Sequence, residues 1–394
     1  MVNEHSKLPG IMYSAIQANL WMAYCLVSSF ISIYLLYFGY SNSEIGFIVS
    51  IGSILAVLIQ LVSAQILDRH PKIQLWKFTC CQILIILLPA ILQLFGKKAG
   101  VLITVTVILV YSLTTSLQPL INSLCVQLED TRLKINFGLA RGIGSLAYAG
   151  ISYAMGKILL KQAPTILTKS YIVLFASLFL WILFFRYEPT KKDTKEVQIK
   201  KEAGISLLKK YKKFLIFVVG LVCILFGHNL INQYMIQIVT SFGANSDVMG
   251  KGIFIAAVLE LPVMFGFSKI KSKFSCGWLL CISAVFFTLK HILTFLANSV
   301  LMFYTAQFLQ IGGFSLLATA SVFYAKEAME KEDQATGQAL VSASMTAAGI
   351  FASCLGGLLL DYTSVKGMLF VGMIVSIIGM ILVFAFTEKS RKVE

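Results

Sequence analysis

Long apolar runs, separated by short polar segments, make up almost the whole chain. Twelve runs are long enough to cross a bilayer, because a helix needs about 20 mostly apolar residues to span about 30 Å of hydrocarbon. They cover residues 12–38, 43–67, 74–95, 101–128, 136–160, 167–186, 214–240, 248–268, 275–296, 300–325, 337–360 and 367–387. The pattern predicts an all-α membrane protein with twelve transmembrane helices, called spans 1 to 12 below.

The second half of the chain echoes the first. Gly138-Leu-Ala-Arg141 and Ala149-Gly150-Ile151 reappear 199 positions later as Gly337-Gln-Ala-Leu340 and Ala348-Gly349-Ile350. Internal repeats related by an axis along the membrane normal are typical of secondary transporters, whose solute site lies where the repeats meet. The repeat therefore predicts two matching helical bundles and a transport function.

The most charged stretch of the chain separates the two halves. We predict a first six-helix bundle over residues 1–186, a cytoplasmic basic linker over 187–213, and a second six-helix bundle over 214–394. The second part of the linker mixes apolar residues with lysines, which fits either an amphipathic helix on the inner leaflet or a solvated tether. All other loops are short, so no extramembrane domain is predicted.

Composition and charge support a membrane protein. Hydrophobic residues make up 58% of the chain and charged residues 13%, against about 45–50% and about 25% in soluble domains. With both termini in the cytoplasm, 24 of the 33 lysines and arginines fall in cytoplasmic segments and seven in outer ones. This positive-inside bias sets the orientation and predicts a multi-pass protein of the plasma membrane, which in bacteria is the inner membrane. The net charge of +15 then reflects topology and attraction to anionic lipids, and nucleic acid is not expected as a partner.

Enzymatic and cofactor chemistry find no support in the sequence. All eight cysteines fall within or at the edges of predicted spans, and none has the spacing of metal ligands. The chain lacks a Gly-x-x-x-x-Gly-Lys-Ser/Thr phosphate loop, and no Ser/His/Asp set is clustered near one interface. We therefore predict a monomer that is not an enzyme, uses no cofactor or metal, and acts on a small solute and protons within the lipid bilayer.

The segment after span 1 and the end of span 2 look like the major facilitator superfamily. Asn42-Ser-Glu-Ile-Gly46 leads to an inner loop in which Asp68 and Arg69 stand where that family has an acid and a base. Ala64 and Pro71 replace two glycines of the usual pattern. The resemblance implies two six-helix bundles that alternate in access. Asp68 is expected to pair with Arg69 or Arg141, or to meet a helix N-terminus, and so to bias the gate between two states.

The opening of span 5 resembles the lactose permease group, which includes oligosaccharide, nucleoside and aromatic-acid proton symporters. In Asn136-Phe-Gly-Leu-Ala-Arg141, Arg141 matches the arginine that grips the sugar in lactose permeases. Two features depart from that group: the middle of span 4 has no acid, and Gln310 and Gly313 replace a coupling histidine and glutamate in span 10. The resemblance supports the fold better than it supports a sugar as solute.

Glu260 is the foremost candidate for proton coupling, because a charge deep in a span is costly and marks a functional site. It lies about twelve residues from the outer end of span 8, about 18 Å deep at about 1.5 Å per residue. A carboxylate that meets a dry site and a nearby cation by turns binds and releases a proton. Pro262 removes a hydrogen bond from the same helix and favours a bend. The alternative is a structural glutamate that bridges two helices.

Lys290 in span 9 is the second candidate for coupling, with two interpretations. Its flexible side chain can snorkel to the interface, or it can pair with Glu260 or with an anionic solute. Its position resembles that of a functional arginine in lactose permeases. The neighbouring His291 is predicted to be a packed or interfacial histidine.

Amide-bearing side chains concentrate on spans 1, 4, 7 and 10, which line the cavity in this superfamily. Such side chains exchange hydrogen bonds with a solute or, alternatively, bond neighbouring helices. With Arg141, the candidate solute ligands are Gln17, Trp21, Gln118, Asn122, His228, Asn229, Asn232, Gln233, Gln237, Gln307 and Gln310. His228 and Asn232 share one face of span 7, because they are four residues apart.

These features together predict a secondary active transporter that takes up a small organic solute with a proton by alternating access. The resemblance implies a sugar, a nucleoside or an aromatic acid as solute. Proton-linked efflux of drugs or metabolites is the alternative. Exporters of this fold often carry a proline- and glycine-rich motif late in span 5, and residues 150–156 contain no proline. A transporter-like sensor is a further alternative, although the short loops hold no signalling domain.

Overall fold

The computed structural model describes residues 8–70, 72–129, 135–185, 210–330 and 333–389, and in these ranges it contains helices and no strand. The α-helices are α1 (Leu8–Tyr24), α2 (Ile31–Tyr37), α3 (Asn42–Arg69), α4 (Leu75–Gln93), α5 (Val101–Glu129), α6 (Phe137–Ile158), α7 (Ile166–Phe184), α8 (Lys212–Gln233), α9 (Met235–Thr240), α10 (Ser246–Lys273), α11 (Cys276–Leu296), α12 (Val300–Phe308), α13 (Phe314–Ala328), α14 (Gln334–Tyr362) and α15 (Val365–Phe386). The predicted linker lies outside the described residues as far as position 209, so both interpretations of it stay open.

Ten stretches of helix are long and apolar enough to cross a membrane, and α1 with α2 passes the same test as one span bent by 46°. α6, which coincides with predicted span 5, is not among them. Its sequence is rich in glycine, alanine and serine and includes Arg141 and Lys157, which lowers its hydropathy. The all-α, multi-span fold is confirmed. The count of twelve spans and the cytoplasmic position of both termini stay predictions.

Polar caps determine where several helices begin. The hydroxyl of Ser41 accepts from the Glu44 amide at 3.2 Å, and the Glu44 carboxylate accepts from the Ser41 amide at 2.8 Å, which is a capping box at the start of α3. The side-chain carbonyl of Asn136 accepts from the Leu139 amide at 2.9 Å and starts α6. Serine hydroxyls cap α11, α12 and α15 at Ser275, Ser299 and Ser364.

The helices repeat with the same register over the first two spans of each half. α3 and α10 each contain 28 residues, and their first residues, 42 and 246, are 204 positions apart. The breaks that divide spans 1 and 7, at Phe30 and Tyr234, have the same offset. So do Gly39 and Gly243, the two described residues with a left-handed backbone, at φ 91° and 78°. The offset falls to 199 for α7 and α15, which begin at residues 166 and 365.

The described residues form two compact units. The first unit takes its residues from 1–192 together with Asn245–Phe254, and the second takes its residues from 193–244 and 255–394. The opening turns of α10 therefore belong to the first unit, and the remainder of that helix, with Glu260, belongs to the second. The predicted division into two six-helix bundles at the basic linker stays a prediction.

Within the first unit, the opening of α10 packs closely on α6. The hydroxyl of Ser246 donates to the carbonyl of Gly156 at 3.0 Å, and that of Ser152 donates to the carbonyl of Gly250 at 3.3 Å. A Cβ on Gly250 would lie 2.4 Å from the Ser152 carbonyl oxygen, so only glycine fits. Small residues let lipid-embedded helices approach in this way, with serine hydroxyls bonding across the contact.

Candidate functional site

Gln17 is the centre of a hydrogen-bonded cluster in the first unit. It is fully buried on α1, and its Nε2 donates to the hydroxyl of Tyr13 at 2.7 Å and to Oδ1 of Asn122 at 3.1 Å. Its Oε1 accepts from the indole Nε1 of Trp21 at 3.0 Å. The Tyr13 hydroxyl donates to the carbonyl of Ile121 at 3.1 Å. One network thus joins Gln17, Trp21 and Asn122, three of the predicted ligands.

Arg141 adds a positive charge to this network. The guanidinium carbon lies 3.7 Å from the centroid of the Trp21 ring, and Nη1 donates to the Ser145 hydroxyl at 2.7 Å. A guanidinium on an indole face is held by the ring quadrupole. Gly144 permits this arrangement, because a Cβ there would lie 2.6 Å from the Trp21 ring. Half-buried Arg141 and Trp21 can therefore offer a solute both a cation and an aromatic face.

Three predicted site residues of the first unit stay outside this network. Gln118 is half-buried on α5, one turn before Asn122. Asp68 and Arg69 are exposed at the end of α3, and neither forms an ion pair within the described ranges. The structure therefore does not contain the expected pairing of Asp68 with Arg69 or Arg141. A gating role for these residues stays a prediction.

A lysine, a glutamine and a glutamate form a relay in the second unit. The ammonium of Lys290 donates to Oε1 of Gln310 at 2.7 Å, and Nε2 of Gln310 donates to Oε1 of Glu260 at 2.8 Å. Lys290 is 1% exposed and Gln310 is 4% exposed, whereas Glu260 is half-buried. The structure buries Lys290 rather than extending it to an interface. Its ammonium bonds the amide of Gln310 and, among the described residues, forms no direct ion pair with Glu260, so the pairing with Glu260 or with an anionic solute stays a prediction. The amide of Gln310 joins the two charges.

The span that carries Gln310 is broken at that residue. A 3-10 turn over Leu309–Gly312 separates α12 from α13. The carbonyl of Gly313 next to the break accepts a hydrogen bond from the hydroxyl of Ser283 at 2.8 Å. Discontinuous helices are typical of transporter sites, because a break frees polar backbone groups inside the membrane. Span 1, bent after a π-helical turn at Cys25–Ser29, and span 7 are broken too.

His228 lies among aromatic rings in the second unit. Its Nε2 is 2.9 Å from Nδ2 of Asn232, one turn later on the face that both residues were predicted to share. The ring is stacked with Phe314 at a centroid distance of 5.7 Å and meets Phe287 at 5.0 Å in a T-shaped contact. Among the described residues, its Nδ1 has no hydrogen-bond partner although it is buried. His228 also interacts electrostatically with Lys290.

His291 is a packed histidine rather than an interfacial one. It is 2% exposed, and its Nδ1 bonds the hydroxyl of Ser376. The close approach of α8 fixes its ring, because a Cβ on Gly227 would lie 2.7 Å from the imidazole. Its Nε2 is buried and, within the described part of the chain, has no hydrogen-bond partner. The ring also lies close enough to Lys290 for an electrostatic interaction.

The other predicted ligands of the second unit differ in burial. Gln307 is fully buried one turn before Gln310, and neither atom of its amide group has a hydrogen-bond partner among the described residues. Gln237 is buried, whereas Asn229 and Gln233 are half-buried on α8. A buried amide that lacks protein partners is a site where water or a solute can bind.

Sequence reasoning missed some partners of these side chains. Tyr13 precedes Gln17 by four residues and Ser145 follows Arg141 by four, so helical spacing was a usable signal for both. Ser376 and Ser283 gave no signal, because they meet their partners through packing between helices distant in sequence.

A charged cluster lies outside the spans of the second unit. The ammonium of Lys210 is 2.7 Å from Glu330 and 3.1 Å from Asp333, and the Tyr211 hydroxyl donates to Asp333 at 2.8 Å. The Tyr211 hydrogen bond and the Lys210 charge lower the pKa of Asp333. Glu330 and Asp333 raise the pKa of Lys210. The last described residues of the linker region are thereby fastened to the loop before α14.

A family model supplies the decisive comparison. The model of the MFS_1 like family matches residues 13–371, which is most of the chain. The chain belongs to the MFS_1-like family. It is therefore a membrane transporter of the major facilitator type, and transporters of this type are not enzymes. A relative from Bacillus subtilis (strain 168), the uncharacterized transporter YwbF, is 25% identical over 343 residues, which are 86% of this chain and 83% of YwbF.

Solved structures show the same fold in this transporter. A mutant form of nucleoside transporter NupG matches with a TM-score of 0.79 at 16% identity, covering 95% of this chain and 98% of that protein. An auto-inhibited POT family peptide transporter matches with a TM-score of 0.76 at 10% identity, covering 98% of this chain and 97% of that protein. At these identities the likeness extends to the fold and does not identify the solute.

Proposed function

We propose that this transporter is a secondary active carrier that takes up a small organic solute together with a proton by alternating access. Glu260 is the group that carries the proton. The relay from Lys290 through Gln310 to Glu260 is the observation that supports this proposal most directly. Ionised Glu260 is stabilised while the amide of Gln310 connects it with the lysine, and it takes up a proton when that connection opens.

One proton provides enough energy for uphill uptake. With a neutral solute, a proton that crosses 100 mV of membrane potential yields about 2.3 kcal/mol, which corresponds to about 50-fold accumulation. With a monoanionic solute, no net charge crosses and the pH gradient alone drives accumulation. In this proposal two bundles of six spans each alternate in access, and both termini lie in the cytoplasm. The protein acts as a monomer in the plasma membrane, and Asp68 and Arg69 bias the gate.

In this proposal each unit carries its own candidate ligands for the solute. Trp21 and Arg141 provide an aromatic face and a cation in the first unit, and the amides of the Gln17 network orient them. In the second unit, His228 provides a hydrogen-bonding group among aromatic rings, and Gln307 provides an amide that has no partner among the described residues. A sugar, a nucleoside and an aromatic acid each present polar groups around a ring, which such side chains can bind.

Uptake into proteoliposomes tests the proton step. Wild-type protein should accumulate a labelled solute from a screen of sugars, nucleosides and aromatic acids when the outside is more acidic. Glu260→Gln should lose accumulation and keep exchange of internal for external solute. The matched control is Asp361→Asn, which removes an exposed carboxylate at the end of α14 and should accumulate as the wild type does.

Two results would contradict the proposal. Unchanged accumulation by Glu260→Gln would show that Glu260 does not carry the proton. Proton-driven export of a dye from vesicles, without accumulation of any solute in the screen, would make the transporter an efflux antiporter.

A further inference from the structure

The ammonium of Lys290 is buried with few partners. It is 1% exposed and donates one hydrogen bond among the described residues, to Gln310. An ammonium group has three N–H donors. A buried charge that lacks a counter-charge is strongly unfavourable. Lys290 therefore needs an anion near it in every state in which it stays buried and charged.

Glu260 is the carboxylate that meets this need. The ionisable groups that face Lys290 are Glu260 from α10, His228 from α8 and His291 on its own helix. The histidines are neutral or positive and cannot compensate a lysine. From α12, α13 and α15, the polar groups of this region are the amides of span 10 and the hydroxyl of Ser376.

The other carboxylates of the second unit stand at helix ends or in loops, within the residues that the structure describes. They are Glu327, Glu330, Asp333, Asp361 and Glu388. Glu327 bonds the thiol of Cys276, and Glu330 and Asp333 bond Lys210. None of them can replace Glu260 beside Lys290.

These charges constrain the solute. We propose that the solute is an organic anion whose carboxylate becomes the counter-charge of Lys290 when Glu260 takes up a proton. This inference rests on the proposed proton step and adds the class of substrate to it. The proton neutralises Glu260, the incoming carboxylate neutralises Lys290, and a monoanion crosses with no net charge. A neutral solute would leave the buried lysine unpaired after Glu260 is protonated.

Neighbouring groups suit the remainder of such an acid. Gln307 lies one turn from Gln310 with both amide atoms unpartnered among the described residues. Phe287 and Phe314 surround His228, whose Nδ1 is also unpartnered in that part of the chain. Buried, unpaired polar atoms beside aromatic rings fit a small carboxylic acid with an apolar or aromatic body.

Equilibrium binding tests the class of solute without any gradient. Purified protein would be titrated with 3-phenylpropionate against 3-phenylpropanamide and with benzoate against benzamide, with uridine and lactose as neutral solutes. We expect at least one acid to bind about tenfold or more tightly than its amide, a difference that reports the carboxylate–lysine contact. Lys290→Gln should remove this preference, and Lys290→Arg should retain it. A neutral compound that binds as tightly as the best acid, or no preference for any acid, would overturn the inference.

A second measurement uses the wild-type protein, so its outcome does not depend on whether the Lys290 variants fold. In proteoliposomes with the potential clamped by potassium and valinomycin, uptake of a monocarboxylate driven by a pH gradient should not change with the potential. Faster uptake at an inside-negative potential would mean that net positive charge enters with the carboxylate, for example with two protons per anion, and would overturn the inference. If Glu260→Gln accumulates solute normally, the proton step fails, and the preference for acid over amide still decides the class of solute.

Discussion

Residue 56 of α3 and residue 260 of α10 occupy equivalent places in the repeat, 204 positions apart, yet one is Ala56 and the other is Glu260. Ala56 is 1% exposed and packs in the first unit, whereas Glu260 ends a charged relay in the second. The reverse holds for Arg141, whose counterpart 199 positions later is Leu340. The two units thus repeat the same arrangement of helices and carry their charges at different positions in it.

The two units also differ in how they hold their polar and charged side chains. The first unit holds its amides through neutral hydrogen bonds, and it holds its arginine through a serine hydroxyl and an aromatic face. The second holds an acid and a base through one amide. Neutral hydrogen bonds each contribute about 0.5–1.5 kcal/mol, whereas a broken buried ion pair costs about 3–5 kcal/mol. A change of protonation therefore alters the second unit more than the first, which supports placing the proton step there.

The largest effect is expected when one charge of the relay is removed. Glu260→Gln leaves Lys290 buried without its carboxylate, and we expect a loss of about 3–5 kcal/mol in stability without solute. The double variant with Lys290→Met removes both charges and should recover most of that loss. The melting temperatures of the purified variants measure both effects. If the double variant is less stable than Glu260→Gln alone, the two charges are not coupled.

The next largest effect on stability is expected where a glycine of α6 is closely packed, and a second glycine of the same helix serves as the comparison. A Cβ on Gly156 would lie 2.7 Å from the carbonyl oxygen of Ser246, whereas a Cβ on Gly150 meets nothing within 4 Å. Gly156→Ala should lower the stability of the first unit by about 1–3 kcal/mol through overpacking. Gly150→Ala should be neutral or stabilise by about 0.5–1 kcal/mol through helix propensity. Equal shifts of melting temperature would show that α6 does not depend on this contact.

Much of this organisation could be predicted from the sequence, because apolar run length and short-range repeats are local signals. The helices, the internal repeat and the shared face of His228 and Asn232 were all predictable. The break at Gln310 and its position between Lys290 and Glu260 were not. They depend on how three spans pack, and spacing along the chain does not report that packing. Likewise, the hydropathy of α6 is too low for the helix to be recognised as a span, because its small residues allow close packing and add little hydropathy.

A smaller effect is expected at the charge of the first unit. Arg141→Lys keeps the positive charge but loses the planar group that lies on Trp21, and the two cations are not interchangeable at a stacked site. We expect the KM for solute to rise about tenfold, with the ratio of accumulated to external solute unchanged. Concentration-dependent uptake and the steady-state ratio measure these two quantities. A lower steady-state ratio would mean that the first unit takes part in coupling and would remove the contrast between the units.

The smallest effect on uptake is expected from a change in the charged cluster outside the spans. This prediction distinguishes titration at the surface from titration in the transport site. The Tyr211 hydroxyl and the Lys210 charge lower the pKa of Asp333 below its ordinary 3.8, so its contribution to stability is present above that value and is lost only as the pH falls through the lowered pKa. Glu330 and Asp333 raise the pKa of Lys210 above its ordinary 10.5, so that contribution is present below 10.5 and is lost as the pH rises through the raised pKa.

Asp333 and Lys210 therefore do not titrate between about pH 5 and pH 9. Asp333→Asn should alter the uptake rate little, because exposed pairs contribute weakly to stability, and it should leave the pH profile of uptake unchanged in that window. Glu260→Gln should flatten the same profile. Uptake of one labelled solute, measured across this range for the wild type and both variants, compares them directly. If Asp333→Asn flattens the profile as well, the pH dependence arises at the loop before α14. The proton step would then not be assigned to the buried relay of the second unit.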